Sequence, residues 1–307
     1  MMALVVIKTG LLCLLQDAGR RHYQHMGLTT GGAADEQAFF WANRLLGNPA
    51  DSPAIEICYG GLQLKATAPC QIAITGADCG AMINDRPAAN WQTHHLNTDD
   101  ILRFDYPRYG VRSYLAVKGG FLVQPVFGSV ASVMREKIGG LDGFGSPLKT
   151  GDCLPFTTIQ ASQQRQVPQA FIPDYAAPLT LHIIENRQLH LFREQAFAGL
   201  YAGHYQISSK SNQMATRFNG PSINAEQPGI ISEGMALGAV QIPPDGQPIV
   251  LLKDRQTIGG YPVIGWLLPL DVFQLAQRQP VQTVNFSSIS LSGAQLLLHK
   301  FYRFFSK

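Results

Sequence analysis

The sequence predicts a mainly β protein with a few helices. Most apolar runs are short and rich in β-branched residues, and only a few segments place apolar residues at helical spacing. The 30 glycines and 19 prolines supply the many turns that such a protein needs. With 307 residues, the chain is long enough for one large domain or two ordinary ones.

Six apolar runs are the clearest candidate strands, because each is short and bounded by turn residues. They are 4–8, 70–75, 101–104, 113–117, 180–184 and 248–252. A short motif also recurs: 98–104 and 150–156 both read Thr-x-Asp-x-Leu-x-Phe, and 280–286 is a looser copy. We interpret the motif as a turn whose Asp bonds the local backbone, followed by an alternating strand.

Three helices are predicted. The first covers 36–46, with Asp35 as its cap and Gly47 just beyond its last turn. A second helix is expected to start at Asp271, and a third to run from Ser292 to about Phe304.

The segment 157–178 is polar and contains prolines, which is typical of a domain boundary. We therefore expect an N-terminal half over 1–160 and a C-terminal half over 175–307. The boundary between the halves is expected near 157–178.

Composition argues against several classes of partner. The net charge of +3 is too small for a nucleic-acid-binding surface. Every apolar segment is shorter than the roughly 18 residues that span a bilayer. The five cysteines are odd in number and form no Cys-x-x-Cys motif, and the eight histidines are scattered. We therefore predict a cytoplasmic protein with no metal, nucleic acid or membrane partner.

One group of polar residues follows the second apolar run. Gln16, Asp17 and Arg20 come directly after it, and a Gly31-Gly32 pair leads into the first predicted helix. A helix N-terminus favours an anion, and glycines allow a close backbone approach. Gln16, Asp17 and Arg20 are therefore candidate substrate-binding residues. The alternative is that Asp17 and Arg20 only fasten a loop.

Two single cations are further candidates for binding an anionic group. Lys118 ends the strand 113–117 and precedes a Gly-Gly pair, which a strand ending in a bulge would also explain. Arg217 can hold a carboxylate with two parallel hydrogen bonds, although a surface ion pair is the simpler interpretation.

The stretch "LLKDRQTIGGYPVIG", 251–265, places polar residues between two apolar runs. The turn signal "PPDGQP" predicts a hairpin of 238–243 with 248–253, so the polar residues follow a strand end. We expect a pocket wall here rather than a plain turn. The candidate substrate contacts of this stretch and its hairpin are Gln241, Thr257, Gly259, Gly260 and Tyr261.

Several stretches together resemble one family over almost the whole chain. They include "LLQDAGR", "GLTTGGAADEQAFFWANRLLGN", "YLAVKGGF", "FGSVAS" and "GAVQIPPDGQPIVLLKDRQTIGGYP". The family is the allophanate hydrolase subunit 2, or KipA-like, group. It includes the C component of the bacterial ATP-dependent 5-oxoprolinase, and it is similar to half of the carboxyltransferase domain of urea carboxylase.

The resemblance implies a fold of two cyclophilin-like β-barrel halves. It also implies an amide (lactam) hydrolase that is active only as a complex with a KipI-like partner and a LamB/YcsF-like partner. The complex would use ATP to open 5-oxoproline to glutamate. A carboxyltransferase half for a biotin-dependent urea or amide carboxylase is an alternative, with biotin carried by another protein. A third possibility is a regulatory protein that binds a KipI-like kinase inhibitor.

The sequence departs from the family pattern at two places. The family has Ser-Asp-Arg-Met-Gly-x-Arg where this chain has 211–217, "SNQMATR". The family's Pro-Gly-Asp turn is Pro280-Val281-Gln282 here. If the lost Asp–Arg pair shapes specificity, the chain acts on a different amide or is a diverged paralogue.

The resemblance also suggests roles for the polar stretch. We assign Asp254, Arg255 and Gln256 as candidate catalytic residues that orient a lactam or urea-like substrate. Because strand-end polar residues usually carry little core burial, Arg255 is expected to be dispensable for folding. We further expect 16–20, 217, 241 and 254–261 to line a single cleft.

Overall fold

The computed structural model of the chain describes residues 2–157, 159–160, 163–186 and 191–306. The chain divides into two compact units. The first comprises residues 1–22 and 30–175, and the second comprises residues 23–29 and 176–307. A short piece of the N-terminal region thus belongs to the second unit.

The first unit contains eleven strands among its described residues. They are β1 (Ala3–Lys8), β2 (Leu12–Gln16), β3 (Ala54–Cys58), β4 (Gln63–Ala66), β5 (Cys70–Gly76), β6 (Met82–Ile83), β7 (Arg86–Pro87), β8 (Gln92–Leu96), β9 (Ile101–Arg103), β10 (Arg112–Val117) and β11 (Cys153–Pro155). One sheet has six strands in the order β11-β1-β4-β9-β6-β7, and the other has five in the order β2-β3-β10-β5-β8.

The two sheets enclose the apolar core of the first unit. Leu4 and Leu64 come from the six-stranded sheet, Ile57 and Leu115 come from the five-stranded sheet, and all four are buried. Strands β5 and β10 are buried along their whole length, because a helix packs on the opposite face of their sheet. Such double burial explains why these two strands read as nearly continuous apolar runs.

That helix is α1 (Glu36–Leu46), and its bounds are those predicted. The carboxylate of Asp35 accepts a hydrogen bond from the backbone N–H of Ala38 at 3.1 Å, so the expected cap is present. Gly47 ends the helix in the left-handed conformation, with φ of 70°, which glycine adopts without strain.

The recurring motif has the same turn chemistry in all three copies. Asp100 accepts from the backbone N–H of Asn97 at 2.7 Å, and Asp152 accepts from that of Lys149 at 2.7 Å. In the looser copy Gln282 accepts from Gln279 N–H at 2.6 Å. Strands β9 and β11 follow the first two turns, as the interpretation of the motif requires.

The second unit contains nine strands among its described residues. They are β12 (Leu179–Glu185), β13 (Tyr205–Ile207), β14 (Ala215–Asn219), β15 (Glu233–Gly234), β16 (Ala239–Gln241), β17 (Ile249–Leu251), β18 (Ile258–Gly259), β19 (Val263–Leu267) and β20 (Thr283–Ser288). Seven of them close a barrel in the order β12-β19-β16-β17-β14-β13-β20, while β15 and β18 form a separate two-stranded sheet.

The barrel has an apolar interior and a second apolar patch on its outside. Val240 and Val250 belong to the interior cluster, together with Phe218 and Phe286. Because side chains alternate along a strand, the neighbouring positions of β14, β16, β17 and β19 face outward. Those outward positions, with one residue of a covering loop, form a cluster of Ala215, Met235, Ala239, Ile249, Leu251 and Val263. We call this side of the four strands the outer face.

Three helices complete the second unit: α2 (Glu194–Ala202), α3 (Pro269–Leu275) and α4 (Leu291–Phe305). The helices predicted from Asp271 and from Ser292 are confirmed as α3 and α4. Helix α3 begins two residues early because Pro269 fits the first helical position. The mainly β prediction is confirmed, with a closed barrel in the second unit and two packed sheets in the first. Within the described residues, no helix combines the length and apolarity required to cross a bilayer.

Candidate functional site

The outer face brings Arg217 and Gln241 into one row. Arg217 is paired with Ile249 across β14 and β17, and Ile249 is paired with Gln241 across β17 and β16. Residues paired in this way point to the same side of a sheet, so the three side chains share the outer face. With strands about 4.8 Å apart, Arg217 and Gln241 have Cα atoms about 10 Å apart. Arg217 is exposed, whereas Gln241 is buried.

The polar stretch after β17 turns inward instead of running along the surface. Asp254 and Arg255 are both buried, and the backbone N–H of Asp254 donates to the carbonyl of Gln213 at 3.1 Å. The hydroxyl of Thr29 donates to the carbonyl of Lys253 at 3.1 Å. The turn is therefore held from two sides by other segments of the same unit.

Arg255 makes two fixed hydrogen bonds within this stretch. Its Nε donates to the carbonyl of Met235 at 3.1 Å, and its Nη1 donates to the carbonyl of Leu252 at 3.3 Å. Burial lowers the pKa of the guanidinium to about 10, and the nearby carboxylate of Asp254 opposes that shift. The side chain is still charged at neutral pH. The expectation that Arg255 carries little burial is wrong, because only 9% of the residue is exposed.

A short segment, residues 230–235, covers the stretch that contains Gly259, and we call it the flap. The backbone N–H of Ile230 donates to the carbonyl of Gly260 at 2.8 Å. Strand β15 pairs with β18 in antiparallel register, and the N–H of Met235 donates to the carbonyl of Thr257 at 2.9 Å. The flap thus lies where a ligand was expected to lie against the backbone.

Several predicted site residues converge on one flap residue, Met235. Arg255 donates to its carbonyl, Thr257 accepts from its N–H, and the amide nitrogen of Gln241 lies 3.4 Å from its sulfur. A Cβ atom at position 259 would lie 3.0 Å from Met235 Cγ and 2.8 Å from the Gln241 amide nitrogen. Glycine at 259 is therefore required for the close approach of these side chains.

The other predicted residues of this stretch lie around its edge. Gln256, Thr257 and Gly260 are half-buried, and Tyr261 is exposed. The altered segment 211–217 forms a tight turn into β14, in which the side-chain oxygen of Asn212 accepts from the N–H groups of Met214 and Ala215. Asp and Asn both make turns of this kind, so the residue found here is compatible with the local fold.

The predicted residues of the first unit fasten a loop. One carboxylate oxygen of Asp17 accepts from Ser129 Oγ at 2.7 Å and from the N–H of Gly19 at 2.8 Å. The other oxygen accepts from the N–H of Val130 at 2.8 Å. All of these donors are groups of the protein itself, so Asp17 holds the loop 126–132 against the end of β2.

Arg20 and Gln16 bond the same loop. Arg20 is fully buried and donates to the carbonyls of Val126, Ser129 and Ala131 at 3.0, 3.3 and 3.3 Å. The amide of Gln16 donates to the carbonyl of Ser132 at 3.2 Å. The alternative of a fastened loop thus describes this region well.

The anion site suggested at the start of α1 is filled by the chain's own carboxylates. Asp35 caps the helix, and Glu56 accepts from the backbone N–H of Ala34 at 2.9 Å and from the hydroxyl of Tyr114 at 2.7 Å. Lys118 is half-buried in the turn that ends β10, and its N–H donates to the carbonyl of Gln71 at 2.8 Å. The single cleft expected of both residue groups remains a prediction.

No set of three or more His, Cys, Asp or Glu side chains among the described residues is arranged to hold a metal ion. The outer face and the turn beside it combine the hydrogen-bond donors of Arg255 and Gln241, the backbone acceptor of Thr257 and an apolar patch, and Met235 meets all of them. Such a set has the chemistry to bind and orient a small polar molecule and to stabilise negative charge on a bound oxygen. Sequence reasoning missed Met235, because an isolated methionine in a loop carries no local signal of its contacts.

Residues 26–288 match the family model described as "Carboxyltransferase domain, subdomain A and B". The chain belongs to this family. The carboxyltransferase-domain match ends at the last residue of β20, so α4 follows the matched region.

Named relatives agree with this assignment. The carboxyltransferase-family chain is 34% identical to the C component of the 5-oxoprolinase of Escherichia coli over 95% of this chain and 93% of that protein. It is 31% identical to the C component of the 5-oxoprolinase of Haemophilus influenzae over 93% of this chain and 91% of that protein. The family resemblance noted in the sequence is thereby confirmed.

A solved structure confirms the fold. The chain superposes on the crystal structure of the Kluyveromyces lactis urea carboxylase with a TM-score of 0.91, at 23% identity. The superposition covers 99% of this chain and 29% of that one. The carboxyltransferase-family fold is therefore built into a much longer chain in that protein.

Proposed function

We propose that the chain is the C component of an ATP-dependent 5-oxoprolinase and acts only with two partner chains. The reaction would convert 5-oxoproline, ATP and water into glutamate, ADP and phosphate. The observation that carries the proposal is the 34% identity to a 5-oxoprolinase component, which extends over nearly the full length of both proteins. The similarity to the urea carboxylase is one of fold, which by itself carries less functional weight.

The chemistry of the outer face supports a lactam or urea-like substrate. A lactam offers one carbonyl acceptor and one N–H donor. Arg255 and Gln241 are donors for the carbonyl, and the backbone carbonyl of Thr257 is an acceptor for the N–H. A guanidinium beside the carbonyl would also stabilise the negative charge that develops on oxygen as the ring opens.

The remaining functions are assigned to other chains. A KipI-like partner would complete the active site, and a LamB/YcsF-like partner would act on the lactam. This sequence has no Gly-x-x-x-x-Gly-Lys-Ser/Thr motif for nucleotide phosphates, so we expect no ATP hydrolysis by this chain alone. The five cysteines, all within the described residues, form no disulfide, which supports a reducing, cytoplasmic compartment.

The test is a reconstitution with purified proteins. The chain would be assayed alone, with the KipI-like protein of the same organism, and with that protein and the LamB/YcsF-like protein. ADP and glutamate release would be followed with 5-oxoproline as substrate. We expect both products only in the three-chain mixture, with omission of each chain as the control. Glutamate release by the isolated chain, or none from the complete mixture, would refute the proposal.

A carboxyltransferase half of a biotin-dependent urea or amide carboxylase is the second candidate. The description of the matched family favours it. Biotin would have to arrive on another protein, and no step at this chain is derived through it. Bicarbonate-dependent ATP consumption with urea, seen when a biotin carboxylase and a biotinylated carrier replace the two partners, would favour this candidate over the first.

A further inference from the structure

The backbone of Met235 presents the same hydrogen-bonding groups as a lactam. Its carbonyl accepts from Arg255 at 3.1 Å, and its N–H donates to the carbonyl of Thr257 at 2.9 Å. A lactam likewise has one carbonyl and one N–H. A flap residue and a bound lactam would therefore satisfy the same two groups of the outer face, but they cannot do so together.

The side chain of Met235 fills an apolar place that a small ring would also fill. It is buried in the outer-face cluster with Ala239, Leu251 and Val263. Ring methylenes are apolar, and thioether side chains are adaptable fillers of such gaps. The outer face thus pairs an apolar floor with amide-binding groups at its edge, which is the usual composition of a small-molecule site.

A cation stands at the edge of the same face. Arg217 lies in the row of Ile249 and Gln241, and it is exposed. An exposed guanidinium that shares a face with amide-binding groups is suited to a carboxylate on the same ligand. The charge of Arg217 therefore favours a lactam that carries a carboxylate over an uncharged amide.

The flap covers buried polar groups, but few contacts attach it to the rest of the unit. Its ladder with β18 has two residue pairs, and isolated two-stranded ribbons are marginally stable. Ile231 is 94% exposed, and Ile258 of the ribbon is 61% exposed, so the outside of the flap adds little burial. The buried amide of Gln241 bonds the thioether sulfur of Met235, which is a weak acceptor. A ligand oxygen would be a stronger acceptor for this amide.

We infer that residues 230–235 are a movable flap, and that Met235 occupies the binding site of a small lactam carboxylate on the outer face. The inference rests on the proposed function for its choice of ligand. Opening of the flap would free Arg255, Gln241 and the carbonyl of Thr257 together. The ligand amide would then take the place of the Met235 backbone, the ring would take that of its side chain, and the carboxylate would meet Arg217.

A disulfide that locks the flap shut provides the test. Gly234 and Ile258 lie directly opposite each other in the ribbon. The next pair along, Met235 and Thr257, is joined by a hydrogen bond, so Gly234 and Ile258 form a non-hydrogen-bonded pair. Cα atoms in such a pair are about 4.5 Å apart, which a disulfide can span. A Cβ at Gly234 would meet no atom within 4 Å. The double variant Gly234→Cys/Ile258→Cys would be made with Cys153→Ser, because Cys153 is the one native cysteine that is exposed.

Binding of 5-oxoproline and of 2-pyrrolidinone would be measured by calorimetry, for the full chain alone and with its two proposed partners. We expect the reduced variant to bind like its Cys153→Ser parent. The oxidised variant should bind at least tenfold more weakly, and dithiothreitol should restore binding. The single Ile258→Cys variant under the same oxidant is the control. Equal affinity of the oxidised and reduced forms, or no binding of either lactam to any form, would overturn the inference.

The carboxylate contact has its own test. Arg217→Ala should weaken 5-oxoproline binding at least fivefold and leave 2-pyrrolidinone binding unchanged, since that lactam has no carboxylate. Arg86→Ala, which removes an exposed cation of the first unit, is the matched control. An equal loss for both lactams, or no loss for either, would contradict the assignment of Arg217.

These outcomes separate the inference from the proposed function. Glutamate release that proceeds equally in the oxidised and reduced forms would refute the flap and leave the 5-oxoprolinase proposal standing. Lactam binding that requires the reduced form, without glutamate release from the complete mixture, would support the flap and refute the 5-oxoprolinase proposal.

Discussion

The two polar groups singled out in the sequence use their hydrogen bonds differently. At the end of β2, Asp17 and Arg20 together bond six groups, most of them in the loop 126–132 of the first unit. On the outer face, Arg255 and Gln241 share one partner, Met235, and Arg255 also donates to the carbonyl of Leu252 in its own turn. The first group has many partners spread over a loop, whereas the second group has one flap residue as its shared partner.

The loop 126–132 and the flap differ in how much of their surface is buried. Val130, Ala131 and Ser132 of the first loop are buried, so its release would expose apolar surface as well as break hydrogen bonds. Residues 231–234 of the flap are exposed, so its opening exposes mainly the buried side chain of Met235 and the apolar patch beneath it. Polar groups that bond several buried partners stabilise the fold. Polar groups whose partner is weakly held can exchange that partner for a ligand.

The largest expected effect tests the first region. Asp17→Ala would leave the donors of Gly19, Ser129 and Val130 without their acceptor, and bonds to a charged group are the stronger ones. We expect the free energy of unfolding, measured in urea, to fall by at least about 3 kcal/mol. Asp85→Ala, at an exposed position of the same unit, should change it by less than about 0.5 kcal/mol. A small loss at Asp17 would mean that the loop is not fastened there.

Alkaline pH should destabilise the first unit before the second. Burial raises the pKa of the Cys13 and Cys79 thiols from 9.0 to about 11, so the unfolded chain loses these protons first. Their contribution to stability is complete below pH 9 and is lost as the pH rises through 11. At pH 10 the loss is about 1.4 kcal/mol for each thiol. The second unit contains no cysteine, and burial raises the pKa of its Tyr205 to about 12.

The measurement is urea unfolding at pH 7 and pH 10 in a Trp266→Phe background. Fluorescence then reports Trp41 and Trp91, which both lie in the first unit. Cys13→Ala/Cys79→Ala should be less stable at pH 7 but should show a smaller loss between the two pH values. A pH dependence that is unchanged in this variant would show that other groups cause it.

Arg255→Lys tests the second region without leaving a cavity as large as alanine would. Lysine keeps the charge but cannot make the two fixed bonds to the carbonyls of Met235 and Leu252. We expect turnover by the assembled complex to fall at least tenfold, or about 1.4 kcal/mol of transition-state stabilisation. Thermal unfolding of the variant is the control, since Arg255 is buried. Full turnover in a stable variant would remove Arg255 from the site.

A pair of glycine substitutions gives the smallest effect. Gly259→Ala would place a Cβ 2.8 Å from the Gln241 amide nitrogen and 3.0 Å from Met235 Cγ, so the pair of side chains must shift, and we expect a loss of about 1 kcal/mol. Gly234→Ala meets open space in the same ribbon and should be neutral or slightly stabilising. Urea unfolding of both variants checks this contrast. Equal effects would show that contact with Gln241 and Met235 does not explain the glycine at 259.

Local features of the fold could be predicted from the sequence. Asp35 and Gly47 mark the ends of α1 because caps depend on adjacent residues. The hairpin of β16 and β17 follows from its turn signal, and the turns at Asp100 and Asp152 follow from a recurring motif. In each case the residues that determine the structure lie within a few positions of one another.

The partners of the polar side chains could not be predicted in this way. Arg20 meets carbonyls more than 100 positions away, and nothing near it in the sequence identifies them. Gly259 was assigned to a ligand, but Met235 approaches it in the structure. Sequence reasoning identified Gln241, Arg255 and Thr257 as polar groups that need partners, whereas only the fold reveals that Met235 now meets all three.

Backbone hydrogen exchange in the presence of a lactam tests the contrast between the two regions most directly. The full chain would be measured by NMR with and without saturating 5-oxoproline. The amides of Ile230 and Met235, which donate to the carbonyls of Gly260 and Thr257, report the flap. The amides of Gly19 and Val130, which donate to Asp17, report the fastened loop. We predict faster exchange at Ile230 and Met235 and unchanged exchange at Gly19 and Val130. Unchanged or slower exchange at Met235 in the ligand-saturated protein would contradict the account.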